Sequence, residues 1–168
     1  MMKIEIRHAE PEDADALQAI HADEALYANT LQLPMPSKTL WRKRLADIPE
    51  NMYMLVAEIE DEVVGSLGLQ TMTSKRQRHV ASFGVSVKTA AQGKGVGRAL
   101  INAALDLADN WLDIRRIEIT TYTDNTGAIG LYESLGFVIE GEMVDYAYRN
   151  GEYVNAYQMA RIRKVKNG

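Results

Sequence analysis

The chain has 168 residues, 23 acidic against 19 basic side chains, a net charge of −4 and no cysteine. A nucleic-acid binder shows a basic excess, which is absent here, and the missing cysteines exclude disulfides, thiolate metal sites and a cysteine nucleophile. Apolar residues make up 46%, enough for a sizeable core, yet no run approaches the ~18 apolar residues of a membrane span and the start carries no secretion signal. The expectation is one cytoplasmic domain over residues 1–168.

In chain order, Ile4, Ile6 and His8 alternate with Glu5 and Arg7, a strand pattern. Pro11 suits a first helical turn, and Ala14, Leu17 and Ile20 share one apolar face of the helix that follows. Residues 27–36 hold two prolines and mixed polarity, which disfavours a regular element. Ser37 is an N-cap for a helix over 38–47. Residues 52–60 and 63–72 read as strands joined by a charged turn, and a polar break leads to a third strand, Val80–Val87. A glycine-rich turn follows, and apolar spacing from Ala99 predicts a helix ending near Trp111. Residues 116–123 alternate as a strand, and 125–135 read as a short helix stopped by Gly136. The last strands, 138–148 and 153–162, flank Arg149-Asn150-Gly151-Glu152, a strong hairpin signal. The predicted order is β-α-α-β-β-β-α-β-α-β-β. It gives an α/β fold with a mixed sheet and helices on its faces.

Gln92-Gly93-Lys94-Gly95-Val96-Gly97-Arg98 lies between a strand and a helix N-terminus. The first N–H groups of a helix have no partner inside it, the helix dipole adds positive charge there, and glycines let a phosphate approach the backbone. This turn therefore suits a phosphorylated small molecule. It lacks the G-x-G-x-x-G spacing of a dinucleotide site and the Gly-Lys-Ser/Thr of a P-loop. On its own it also fits a tight strand–helix connection.

A second constellation, Asn125-Thr126-Gly127-Ala128-Ile129-Gly130-Leu131-Tyr132-Glu133-Ser134-Leu135-Gly136-Phe137, resembles the signature of the GNAT N-acetyltransferase superfamily: an Asn, an Ala three residues on, an aliphatic-Tyr pair, then Leu-Gly-Phe. Gln92, Gly95 and Gly97 take the defining positions of that family's acetyl-CoA pyrophosphate loop, and the element order fits its fold across nearly the whole chain. At finer grain, Asn29-Thr30-Leu31-Gln32, Arg149-Asn150-Gly151-Glu152-Tyr153-Val154 and Tyr157-Gln158-Met159-Ala160-Arg161 are similar to bacterial YhhY-type acetyltransferases. That branch is associated with acetylating the α-amino group of amino acids or related small molecules.

The resemblance implies a single GNAT domain with a mostly antiparallel sheet of six to seven strands, acetyl-CoA as cosubstrate, no metal, and a small-molecule amine as partner. It also leaves a homodimer open. Residues 92–98 would hold the pyrophosphate through Gln92, Gly93, Lys94, Gly95, Val96, Gly97 and Arg98. The strand before the loop would splay from the next one, so that the pantetheine arm lies along 83–87 with Val85 and Val87 as contacts. Asn125 would bond that arm or cap its own helix. Tyr132 would protonate the leaving thiolate, whose free pKa is near 8.5. Gly127 and Gly130 depart from the usual residues of this helix, and a short or irregular helix is expected. With no cysteine to carry the acetyl group, transfer is direct. A protein or peptide acetyltransferase and a non-catalytic acyl-CoA-binding module are the alternatives.

The general base is open. His79-Val80-Ala81-Ser82-Phe83-Gly84 has no carboxylate where many relatives carry one, which leaves His79, Glu118 and His21, acting through water. A weak base suits an α-amine of pKa ~7.7–8.0 better than a lysine amine of pKa ~10.4, whose neutral form costs ~4 kcal/mol near neutral pH. Residues 27–36, with Leu31, Leu33 and Met35, and the hairpin end at 149–153 are expected to wall the acceptor site. Lys75, Arg76 and Arg78 form a small basic cluster that reads as a solvated turn, or as the source of one cation for an acceptor carboxylate or the cofactor's ribose phosphate.

Overall fold

The computed structural model describes residues 2–164. After β1 (Glu5–His8), a 3-10 turn opened by Pro11 runs into α1 (Ala14–His21), followed by α2 (Glu24–Tyr27) and α3 (Lys38–Ala46). The chain continues through β2 (Met52–Ile59), β3 (Glu62–Thr71), β4 (Val80–Val87), α4 (Val96–Asn110), β5 (Arg116–Tyr122), α5 (Thr126–Ser134), β6 (Val138–Arg149) and β7 (Glu152–Ile162). The sequence order holds with one correction. The single turn α2 is additional, held by the Asp23 carboxylate, which accepts from the Ala25 N–H. Four residues are too few to show helical periodicity. No helix among the described residues is long and apolar enough to cross a membrane.

The strands form one sheet in the order β1-β2-β3-β4-β5-β7-β6. Every neighbouring pair is antiparallel except β4 and β5. The β6–β7 turn uses left-handed backbone at Asn150 (φ 51°) and Gly151 (φ 79°), the geometry that Asn-Gly favours.

Helices cover both faces. α4 carries Val96, Leu100, Ile101, Ala104, Leu105 and Ala108 on one stripe, all buried, as a 3.6-residue period requires. They pack with Leu67, Leu69, Ala81, Phe83, Ile117 and Ile119 of the central strands. Full burial of each Leu or Ile is worth about 1.5–3 kcal/mol, so this layer fixes where α4 begins. The opposite face packs Leu17 and Ile20 of α1 and Trp41 and Leu45 of α3 against Val56.

The site follows from one short pairing. β4 and β5 share only three rungs, Val80↔Arg116, Ala81↔Ile117 and Ser82↔Glu118. Beyond them β4 stays with β3 up to Val87, and β5 stays with β7 up to Tyr122. The sheet therefore forks, and the facing edges of 83–87 and 119–122 have no strand between them. Free backbone edges inside a fold are costly unless something fills them.

Candidate active site

The fork opens into a cavity of about 1170 Å³. One half lies against the start of α4 and against α5. Gly95 precedes α4 with φ 85°, and no side chain caps the helix. The first helical bond runs from the Ala99 N–H to the Gly95 carbonyl at 3.0 Å. The N–H groups of Val96, Gly97 and Arg98 thus have no intrahelical acceptor. A Cβ at Gly95 would meet nothing within 4 Å, so space does not demand glycine there. The left-handed backbone does.

Gln92, Gly93, Gly95, Val96, Gly97 and Arg98 all line the cavity, as do Val85, Val87, Asn125 and Tyr132. Gln92 acts partly as a strut, since its Nε2–H donates to the Val87 carbonyl at 3.1 Å and ties the loop to the end of β4. Arg98 reaches α5, donating to Ser134 Oγ at 3.0 Å. Lys94 is the exception in the predicted loop: it is exposed and does not line the cavity, because the turn directs its side chain to solvent. Asn125 caps α5, its Oδ1 accepting from the Ala128 N–H at 3.4 Å. α5 is short and regular despite Gly127 and Gly130. It places Tyr132, 8% exposed, with its ring centroid 6.1 Å from Phe83 and 5.9 Å from Phe137. Burial alone pushes the Tyr132 hydroxyl up to about 12, so it is protonated at any physiological pH.

The other half lies on the α1 and α3 side of the sheet. Its floor is Ser82, Gly84 and Ser86 of β4 with Glu118, Thr120 and Tyr122 of β5, alternate residues on one face of each strand. Its walls include His21, Leu26, Thr30, Leu31, Trp41 and Tyr146. The Tyr122 hydroxyl donates to the Thr30 carbonyl at 2.8 Å, pinning the irregular segment to the sheet. The chain then turns outward. Leu33 and Met35 are 81% and 91% exposed and do not line the cavity, so only Leu31 of the three expected apolar contacts does. The hairpin end also falls outside. Arg149 pairs with Asp124 and lies over the Tyr122 ring at 5.2 Å, and β6 reaches the cavity through Tyr146 instead.

The three candidate bases separate. His79 is exposed ahead of β4 and outside the cavity. His21 is 3% exposed and stacked on Trp41 at 4.6 Å. Its Nδ1–H donates to the Leu17 carbonyl at 2.8 Å, so its Nε2 accepts from Ser86 Oγ at 3.2 Å. Burial lowers its pKa and keeps the ring neutral. Glu118 is inside the cavity, with its Oε1 accepting from Arg116 Nε at 2.8 Å. Lys75, Arg76 and Arg78 are exposed and do not reach the site. Among the described residues, Arg98 is the only lysine or arginine on the cavity wall. The cation expected for an acceptor carboxylate is therefore missing, among the described residues, from the half on the α1 and α3 side.

Sequence reasoning missed Ser86, Trp41, Tyr146 and Gln158, which also line the cavity. Only the serines left a signal, as polar residues at alternate positions in an otherwise apolar strand.

Residues 16–137 match the model of the acetyltransferase (GNAT) family. The chain is 47% identical over 163 residues to the L-amino acid N-acetyltransferase AaaT of Escherichia coli (strain K12), covering 97% of this chain and 100% of that protein. It is 32% identical over 121 residues to a spermidine N(1)-acetyltransferase of Vibrio cholerae, covering 71% of this chain and 68% of that one. The crystal structure of a GNAT-family acetyltransferase from Streptococcus pneumoniae superposes with a TM-score of 0.83 at 26% identity, over 96% of this chain and 100% of that one. With the forked sheet, the bare helix start and the buried tyrosine in one cavity, these matches place the chain in the GNAT acetyltransferase family.

Proposed function

We propose that this acetyltransferase moves the acetyl group of acetyl-CoA directly onto the α-amine of an amino acid or an amino-acid-like compound. The observation that carries the acceptor class is the 47% identity to AaaT over 97% of the chain. The expectation that a weak base points to α-amines gives no independent support, because β5 supplies a carboxylate, Glu118, where β4 has none.

In this reading the pyrophosphate lies on the free N–H groups at the start of α4, with Gly93 and Gly95 giving bare backbone. The pantetheine amides take the place of a strand along 83–87, past Val85 and Val87, with the Asn125 side chain beside them. The thioester then sits at the apex of the fork near Tyr132. Amine attack on the acetyl carbon expels sulfur. A phenol of pKa about 12 gives its proton to a thiolate of pKa ~8.5 only at a cost of about 5 kcal/mol. Tyr132 therefore passes a proton rather than donating one outright: as its proton moves to sulfur, the acylated nitrogen returns one to its oxygen. The acetyl-CoA pool locates such an enzyme in the cytoplasm.

The test is thiol release from acetyl-CoA with methionine, phenylalanine, spermidine and a lysine-containing peptide side by side. At least a tenfold advantage in kcat/KM is expected for the amino acids, and a tenfold preference for spermidine or the peptide overturns the acceptor class. The cofactor placement is checked by thermal melting, since a ligand at 100 times its Kd stabilises by about 2.7 kcal/mol. Gly97→Glu puts bulk and negative charge at the phosphate end and abolishes that shift. A folded Gly97→Glu protein stabilised like the wild type shows the loop to be wrongly placed.

A further inference from the structure

The acceptor half is sided in charge. Among the described residues, the charged or titratable side chains on the whole cavity wall, tyrosines aside, are His21, Arg98 and Glu118. His21 is neutral and both its ring nitrogens are engaged. Arg98 belongs to the phosphate end, held by Ser134. The remaining group is Glu118. Its neighbour Arg116 does not cancel it alone, because the same guanidinium also grips Glu140. One cation facing two carboxylates leaves the cluster at −1. Arg149, over the Tyr122 ring, is committed to Asp124, and Arg44, over the Trp41 ring at 5.1 Å, does not line the cavity.

Glu118 also stands at the reacting position. It occupies the last rung before the fork, opposite Ser82. The next residue of β4, Phe83, points to the other face of the sheet and packs against Tyr132. Glu118 and Tyr132 therefore flank the apex of the fork from opposite faces.

We infer that the acceptor subsite reads the ammonium end of its substrate through Glu118 and has no device for reading a carboxylate, so that primary amines without one, such as amino-acid amides, are acetylated as well as amino acids. The inference rests on the acetyl-transfer reading above, and not on the identity of the acceptor. A carboxylate placed in this half meets no cation on the cavity wall and lies in the field of Glu118, whereas an ammonium is attracted. Glu118 then takes one N–H proton from the ammonium. The freed lone pair forms the N–C bond to the thioester carbonyl and the C–S bond breaks with its electron pair on sulfur. Sulfur gains a proton relayed by Tyr132 from the acylated nitrogen, and Glu118 gives its proton to water. The products are amide, thiol and one released proton.

The experiment compares kcat/KM for methionine and methioninamide, each expressed per ammonium form, on the wild type and on Glu118→Gln. The amide is expected within threefold of methionine or above it. Glu118→Gln is expected to lower kcat at least tenfold for both, while the acetyl-CoA melting shift stays. A tenfold preference for methionine over its amide on the wild-type enzyme overturns the inference, with no variant needed. So does a Glu118→Gln enzyme with the wild-type rate. Acetylation of methioninamide and spermidine but not of methionine, still dependent on Glu118, upholds the inference and removes the amino-acid reading; acetylation of neither methionine compound overturns both.

Discussion

The proposed phosphate end of the cavity is made of backbone and the proposed acceptor end of side chains. At the phosphate end the groups offered are the N–H groups of Val96, Gly97 and Arg98 and the open edge of β4. They come from one continuous stretch, and side chains matter there mainly by being small. At the acceptor end the groups are Ser82 and Ser86, Glu118, His21, Trp41 and Tyr146, drawn from five elements. Backbone donors suit a ligand whose chemistry does not vary, such as a pyrophosphate or an amide chain. A variable ligand needs side chains, because only they can be exchanged without refolding the sheet.

Tyr132 sits where the two halves meet, and its removal has the largest expected effect. Tyr132→Phe keeps the ring packing against Phe83 and Phe137 and deletes only the hydroxyl. General acid–base groups contribute roughly 10²–10⁴-fold, so kcat falls by that factor while the acetyl-CoA melting shift is retained. An unchanged rate under chemistry-limited conditions assigns Tyr132 to packing alone. If cofactor affinity drops instead, the hydroxyl belongs to the phosphate half rather than to the transfer step.

The same division separates what is legible in the sequence from what is not. The phosphate half is legible because its parts are contiguous: a strand, seven loop residues and an apolar helix stripe show as pattern changes along the chain. Strand alternation and the Asn150-Gly151 turn likewise mark the sheet and its last hairpin. Lys94 escapes this reading because a motif fixes backbone course and not where each side chain points. The acceptor half is poorly legible because its residues meet only after the sheet forms. In sequence His79 looks as good a base as Glu118, yet β4 begins one residue after His79 and leaves it outside, while the Ser82↔Glu118 rung brings Glu118 to the apex. Leu33 and Met35 resemble acceptor contacts because apolar loop residues suggest a lined pocket. The Tyr122–Thr30 bond, after which the loop turns outward, links residues 92 apart in sequence.

His21 gives the acceptor half a pH dependence of intermediate size. Its pKa is lowered, chiefly by burial, which outweighs the upward pull of the Leu17 carbonyl; Arg44 adds a weaker downward push. Below the ordinary imidazole value of about 6.5 the unfolded chain binds a proton that the folded chain refuses. Stability is thus complete above that pH and lost as pH falls through the window beneath it, with a slope of at most about 1.4 kcal/mol per pH unit for one group. Urea titrations between pH 4.5 and 7.5 measure the slope. His21→Gln removes the titration and flattens it in this window. Asp13, whose pKa is lowered chiefly by its bond to Arg7, acts further down, below the ordinary carboxylate range, and does not interfere. A wild-type stability curve that is flat across the window, or one that His21→Gln leaves unchanged, shows that His21 titrates normally and is not held neutral.

The smallest effects belong to the loop that the sequence makes conspicuous. Leu33 and Met35 are more exposed than Leu31, and only Leu31 touches the cavity. Truncating a side chain that buries little area removes little hydrophobic stabilisation, and surface changes of this kind stay within about ±0.5 kcal/mol. Leu33→Ser and Met35→Ser should therefore leave stability within that range and kcat/KM for methionine within twofold. Leu31→Ala, which opens the cavity wall, should raise KM severalfold with kcat nearly unchanged, because it removes contact made equally in the ground and transition states. The contrast is informative because the three residues lie within five positions of one another. If Leu33→Ser raises KM as much as Leu31→Ala does, the segment folds down over a bound acceptor. The acceptor half would then be a surface completed by its substrate, unlike the phosphate half, whose backbone groups are in place before anything binds.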